Sequence, residues 1–167
     1  MDLKLTTKAQ EALSAAVRAA AAVGHPHTEP AHLLKALTEQ SDTTTGPLLQ
    51  ATGSSLPAAA EAARTALAGM PSASGSSVSA PGLSRSAMVA LESARELMVA
   101  MGDTFVSTDH LLYGVAKATG RSLGLDADAI KAAIPTLRGG RQVDSENPEG
   151  TFDALAKYGT DLTERAR

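Results

Sequence analysis

Leu83-Ser84-Arg85-Ser86-Ala87 opens a stretch that runs to Tyr113-Gly114-Val115, and much of it has already been written once, 78 residues earlier. Leu5-Thr6-Thr7-Lys8-Ala9 aligns with its start, and the register holds without a gap to Leu37. Ala9 repeats as Ala87, Ala12-Leu13 as Ala90-Leu91, Ala16 as Ala94, Ala22 as Ala100 and Gly24 as Gly102. His32-Leu33-Leu34 returns as His110-Leu111-Leu112. Ten identities at one offset in 33 positions, several of them not alanine, mark an internal duplication. Two copies are too few for a solenoid array.

Within the first copy, Thr6 or Thr7 is placed to cap a helix whose apolar face is Ala9, Ala12, Leu13, Ala16, Val17, Ala20 and Val23. Gly24 stops that helix and Pro26 prevents its resumption. Thr28-Glu29-Pro30 opens a second helix with Leu33, Leu34 and Leu37 as its buried stripe. Gly46-Pro47 breaks the chain, Leu48-Leu49 predicts a short third helix, and Leu56 to Leu67 a fourth. The second copy repeats the first face at Ala87, Ala90, Leu91, Ala94, Met98 and Met101, and the second at Leu111, Leu112 and Val115. Ser107 or Thr108 caps that second helix, and a last one runs from Leu125 to Ile134, where Pro135 interrupts it. The expectation is an all-α domain of two pseudo-repeated bundles, each of about four short helices, packed face to face. Copy one covers about 5–68, a Gly/Ser-rich connector 69–82, and copy two about 83–138.

Beyond Arg138-Gly139-Gly140-Arg141 the periodicity lapses, so 139–150 reads as a linker. Phe152, Leu155, Gly159, Leu162 and Ala166 then trace the stripe of a partial helix over 151–167 that has nothing to pack on. The chain reads as a monomeric fragment cut inside a larger protein. Composition agrees with helices: apolar residues reach 43% but aromatics only 2%, so Ala, Leu, Val, Met and Ile must build the core. A formal charge of −3 opposes nucleic-acid binding, and the absence of cysteine removes disulfides and thiolate chemistry. No signal-peptide core is present and no run of about 18 apolar residues, so no membrane is expected and the location reads as cytoplasmic.

The search for chemistry returns little. His32 and His110 are repeat-equivalent and read as structural residues in the first turn of a helix, not as ligands. Asp109 fits a helix start, where the macrodipole favours negative charge. Neither a nucleophile elbow nor a phosphate-binding loop occurs, so neither hydrolysis of a small substrate nor of ATP is expected, and no catalytic or metal-binding residue is assigned.

Leu5 to Leu13 (Leu-Thr-Thr-Lys-Ala-Gln-Glu-Ala-Leu) and Glu29-Pro30-Ala31-His32-Leu33-Leu34 resemble the Clp N-terminal repeat domain, which stands at the front of the Clp AAA+ unfoldases. Arg138-Gly139-Gly140-Arg141, Asn147-Pro148-Glu149-Gly150 and the run from Ala154 to Arg167 resemble the segment leading into the first ATPase module of the ClpB-type disaggregases. The resemblance implies a substrate-binding module that captures exposed apolar segments of unfolded or aggregated proteins, alongside the Hsp70 system, for a homohexameric ring. ATP and Mg would belong to the full-length protein, with no cofactor in this stretch. The resemblance places client handling on Thr6, Asp103 and Asp109. A protease-associated relative of ClpC type, binding adaptors or phosphoarginine, is the alternative. That branch reads Gly-Thr-Glu-His before the second helix, whereas this chain has Glu29-Pro30-Ala31-His32 and Ser107-Thr108-Asp109-His110.

Overall fold

Thr6 and Ser84 start the two copies in the same way. Thr6 Oγ1 accepts from the Ala9 amide at 3.1 Å and Ser84 Oγ from the Ala87 amide at 3.0 Å, satisfying first-turn amides that have no helical partner. Of the two threonines eligible to cap, Thr6 is the one used. The helices that follow, α1 (Thr7–Ala22) and α5 (Arg85–Ala100), have 16 residues each. Both give way to a glycine at positive φ, Gly24 at 73° and Gly102 at 74°, a conformation that side chains disfavour.

The computed structural model describes residues 3–71, 82–119 and 122–139, together with Val143 and Pro148. Copy one continues with β1 (His27–Thr28), α2 (Pro30–Glu39), α3 (Thr45–Ala51) and α4 (Leu56–Ala68); β2 (Gly82–Leu83) precedes α5, and α6 (Thr108–Thr119) and α7 (Ala127–Arg138) complete copy two. The all-α expectation holds. Copy one has four helices; in copy two the described residues between α6 and α7 form a turn at 122–124, because the connection there is shorter. The connector at 72–81, most of the expected linker and the stripe from Phe152 to Ala166 lie outside the described residues.

The copies exchange their leading segments. β1 pairs in parallel with β2, Thr28 opposite Leu83, and a single parallel bridge joins Leu5 to Val106. Around this cross-pairing one core forms, with Leu33, Leu34 and Leu37 of α2 and Leu111, Leu112 and Val115 of α6 in the same cluster. Burying such a side chain contributes roughly 1.5–3 kcal/mol. Alanines let the outer helices approach closely: Ala9, Ala12 and Ala16 of α1 are fully buried in that cluster.

Two local expectations fail. Gly46-Pro47 lies inside α3, not before it, since a first turn has no use for the proline's missing N–H. α7 continues through Pro135 to Arg138, where Gly139 caps it in the left-handed conformation at φ 63°. An interior proline costs a helix about 3 kcal/mol. What offsets it here is the last turn, which carries the partly buried Leu137 and the fully buried Arg138.

Candidate functional site

Arg138 gathers the two acids that the sequence singles out. Its Nε donates to Asp109 Oδ2 at 2.8 Å and its Nη2 to Asp109 Oδ1 at 2.9 Å, a bidentate pair, while Nη1 donates to Asp103 Oδ2 at 2.8 Å. The remaining acceptors are also used. Asp103 Oδ1 takes the Val143 amide at 2.9 Å, and Asp109 Oδ1 takes the His110 amide at 2.7 Å and the Ser107 hydroxyl. His110 Nδ1 accepts from the Ser107 amide at 2.9 Å, so its proton sits on Nε2 and is donated to Asp103 Oδ2 at 2.8 Å.

All of these side chains are buried. Burial pushes both carboxyls upward, but the bonds from His110, Val143 and Arg138 outweigh it at Asp103 and hold that group below the usual carboxylate range. At Asp109 the same outcome follows from His110, Arg138 and Ser107. Burial alone would depress the Arg138 guanidinium, yet Asp109 and Asp103 raise it. The cluster is charged and satisfied, and it ties α6, the end of α7 and Val143 together.

Thr6 lies at the other edge of copy two. It is fully buried, caps α1, and donates its amide to the Val106 carbonyl at 2.9 Å. It therefore braces Val106, three residues ahead of Asp109 on the turn into α6. Arg138 escapes the sequence reading. The signal was the asymmetry of the repeat: Asp103 and Asp109 replace His25 and Ala31, and two acids introduced into a buried corner require a cation.

In copy one two buried histidines fill the corner. His25 Nδ1 lies 2.7 Å from His32 Nε2, and His32 Nδ1 accepts from the Glu29 amide at 2.8 Å. Both expected structural histidines thus face backbone and core. Burial, then the neighbouring His25, lowers the His32 pKa to about 4. Among the described residues no three histidine or carboxylate side chains converge to hold a metal ion, and no helix is long and apolar enough to cross a membrane.

Among the described residues, two clefts bear on binding. One, of about 280 Å³, lies between the copies, with Pro30, Ala31, Ala66 and Met70 on one side and Ser86, Ala118 and Leu123 on the other. The second, of about 360 Å³, belongs to copy one and includes Val23, His25, Lys35, Arg64 and Met70 in its lining. Met70 forms part of both walls.

Residues 4–125 match the model of the Clp repeat (R) N-terminal domain. The chain is 42% identical over 168 residues to the chaperone protein ClpB of Corynebacterium glutamicum and 40% identical over 170 residues to that of Mycobacterium tuberculosis. Each alignment covers 97% of this chain and 20% of the relative, so the chain spans about a fifth of the length of the curated relatives it matches. The fold is similar to that of the Hsp104 N-terminal domain from Candida albicans, with a TM-score of 0.71 and 20% identity over 87% of this chain and 99% of the other.

Proposed function

The chain belongs to the Clp repeat N-terminal domain family, and from that premise we propose that it is the client-engaging module of an ATP-dependent protein disaggregase. It binds exposed apolar segments of unfolded or aggregated polypeptides in the cytoplasm and delivers them to the pore of a homohexameric ring. ATP, Mg and the hydrolytic machinery belong to the ring, as does cooperation with the Hsp70 system. The observation that supports this reading is the cleft between the copies, walled by Pro30, Ala31, Ala66, Met70, Ala118 and Leu123. Small and soft apolar groups in an open cleft suit weak binding of many sequences.

Thr6, Asp103 and Asp109 serve client handling in this proposal as positioning residues. Asp109 and Asp103 fix the start of α6, and Thr6 braces Val106, two residues ahead of it; α6 in turn carries Ala118 to the cleft. A phosphoarginine reader of the protease-linked kind would want acids open to solvent at the starts of α2 and α6. Directly before the two histidines stand Ala31, which has no charge, and Asp109, whose carboxylate is committed to Arg138; the acid at the start of α2 is Glu29, its N-cap, at the cleft between the copies. The disaggregase reading is therefore preferred.

Calorimetric titration of the chain with a permanently unfolded polypeptide tests it. Saturable micromolar-range binding that Ala118→Glu weakens by about tenfold is expected, the equivalent of about 1.4 kcal/mol. Binding of free phosphoarginine, with none of the unfolded chain, would overturn it.

A further inference from the structure

The copy-one pocket has a chemical character of its own. Val23, Leu67 and Met70 supply apolar walls, His25 and His32 line it as well, and Lys35 and Arg64 contribute cationic side chains; among the described residues no carboxylate lines it. The hydrogen-bond order fixes the sense of its imidazoles. His32 Nδ1 is an acceptor from the Glu29 amide, so its Nε2 carries the proton and donates to His25 Nδ1. His25 Nδ1 is thus the acceptor, which leaves Nε2 as the donor of that ring. His25, Lys35 and Arg64 therefore supply the donors open to an incoming group, while both ring nitrogens of His32 are already engaged.

The partners of the two cations do not close the site. Lys35, about a third exposed, pairs with Glu39 at 2.9 Å, and the exposed Arg64 pairs with Glu61, each within one helix. Exposed pairs of this kind contribute roughly 0–1 kcal/mol and yield readily to a ligand.

Copy two shows what its own corner accepts. His25 is the counterpart of Asp103, and against Asp103 the chain seats Val143, a fully buried residue whose amide donates to the carboxylate at 2.9 Å and whose carbonyl accepts from the Thr104 amide at 2.7 Å. In copy one the counterpart of Thr104 is Pro26, which has no N–H, and the carboxylate is replaced by an imidazole donor. The corner is repeated with its polarity inverted.

We propose that the copy-one pocket binds a peptide segment in which an aliphatic residue is followed by an acidic one, the aliphatic side chain entering between Val23 and Met70 and the carboxylate meeting Lys35, Arg64 and His25. Charge complementarity selects this occupant over a neutral or basic segment. The inference rests on the reading of the chain as a client-binding module and gives that module a preference. Met70, shared with the cleft between the copies, makes the two sites neighbours along one client.

The test uses the 167-residue chain, isotope-labelled, and two blocked peptides, acetyl-Ser-Leu-Val-Asp-Glu-Ser-amide and its counterpart with Asn-Gln in place of Asp-Glu. The acidic peptide is expected to bind about tenfold more tightly, as a charge-assisted hydrogen bond would provide, and to move the amides of Val23, His25, Lys35 and Met70. Lys35→Gln combined with Arg64→Gln should bring its affinity down to that of the amide peptide. Equal affinities, or shifts confined to other residues, would overturn the inference. If the chain still bound the unfolded polypeptide, the client-binding reading would survive that result. A pocket response to the acidic peptide with none to the unfolded polypeptide would uphold the pocket and sink the reading.

Discussion

The Ser84 amide donates to the Thr28 carbonyl at 3.0 Å, and the Thr6 amide makes the equivalent bond to the Val106 carbonyl at 2.9 Å. Each copy thus sends its first residues across to brace the other copy just before its second helix. Neither copy is complete alone. Because Thr6 and Ser84 also cap α1 and α5, their side chains have the same work in both halves. Thr6→Ala and Ser84→Ala should each cost about 1 kcal/mol, the usual worth of an N-cap, with Thr6→Ala the larger because that residue is fully buried. Urea denaturation of the two variants measures both.

Arg138 neutralises two buried carboxylates at once. Arg138→Met keeps most of the side-chain volume but strands Asp103 and Asp109. The expected loss is roughly 3–5 kcal/mol, enough to consume much of a domain's stability. Adding Asp103→Asn and Asp109→Asn to Arg138→Met should restore part of it, read from unfolding midpoints.

Gly114 sets the distance between α5 and α6. A Cβ built there would stand 2.0 Å from the Ala90 carbonyl oxygen, backbone that cannot step aside cheaply. Gly114→Ala should therefore destabilise the chain by about 3 kcal/mol despite improving helix propensity. Its counterpart in copy one is Ala36, so the opposite substitution, Ala36→Gly, should cost about 1 kcal/mol through propensity and lost packing. Thermal unfolding separates the two.

His32 makes stability depend on pH. Its folded pKa of about 4 lies below the ordinary histidine value of 6.5, so between those values the unfolded chain binds more protons and stability falls as pH is lowered. The loss should be on the order of 2 kcal/mol by pH 4. Asp103 and Asp109, depressed in the fold, add a further loss only as pH falls below about 3.9, the unfolded carboxylate value. Denaturation curves at pH 7, 5.5 and 4 check the window, and His32→Gln should flatten it.

What was legible before the fold was known is what identity and period carry. The offset repeat carries matched glycine stops and a histidine in the same turn of α2 and α6, and each is found; the cap that Ser84 shares with Thr6 comes from the structure. Gly46-Pro47 reads as a break although a first turn tolerates proline, and α7 passes Pro135 because the buried Arg138 holds its last turn in place. The cross-paired strands span two residues each, too few for any period to register. Arg138 was invisible for another reason: its partners lie 29 and 35 residues away, and a basic residue before a glycine looks like an ordinary helix end.

Amide-shift mapping of the labelled chain with a permanently unfolded polypeptide, and separately with phosphoarginine, tests the central claim most directly. The account predicts that the unfolded polypeptide moves Ala31, Ala66, Met70 and Ala118, residues of both copies that line the cleft between them. It also predicts that phosphoarginine leaves the starts of α2 and α6 undisturbed. Shifts at Ala31 and Asp109 with phosphoarginine, and none in the cleft with the unfolded chain, would contradict it.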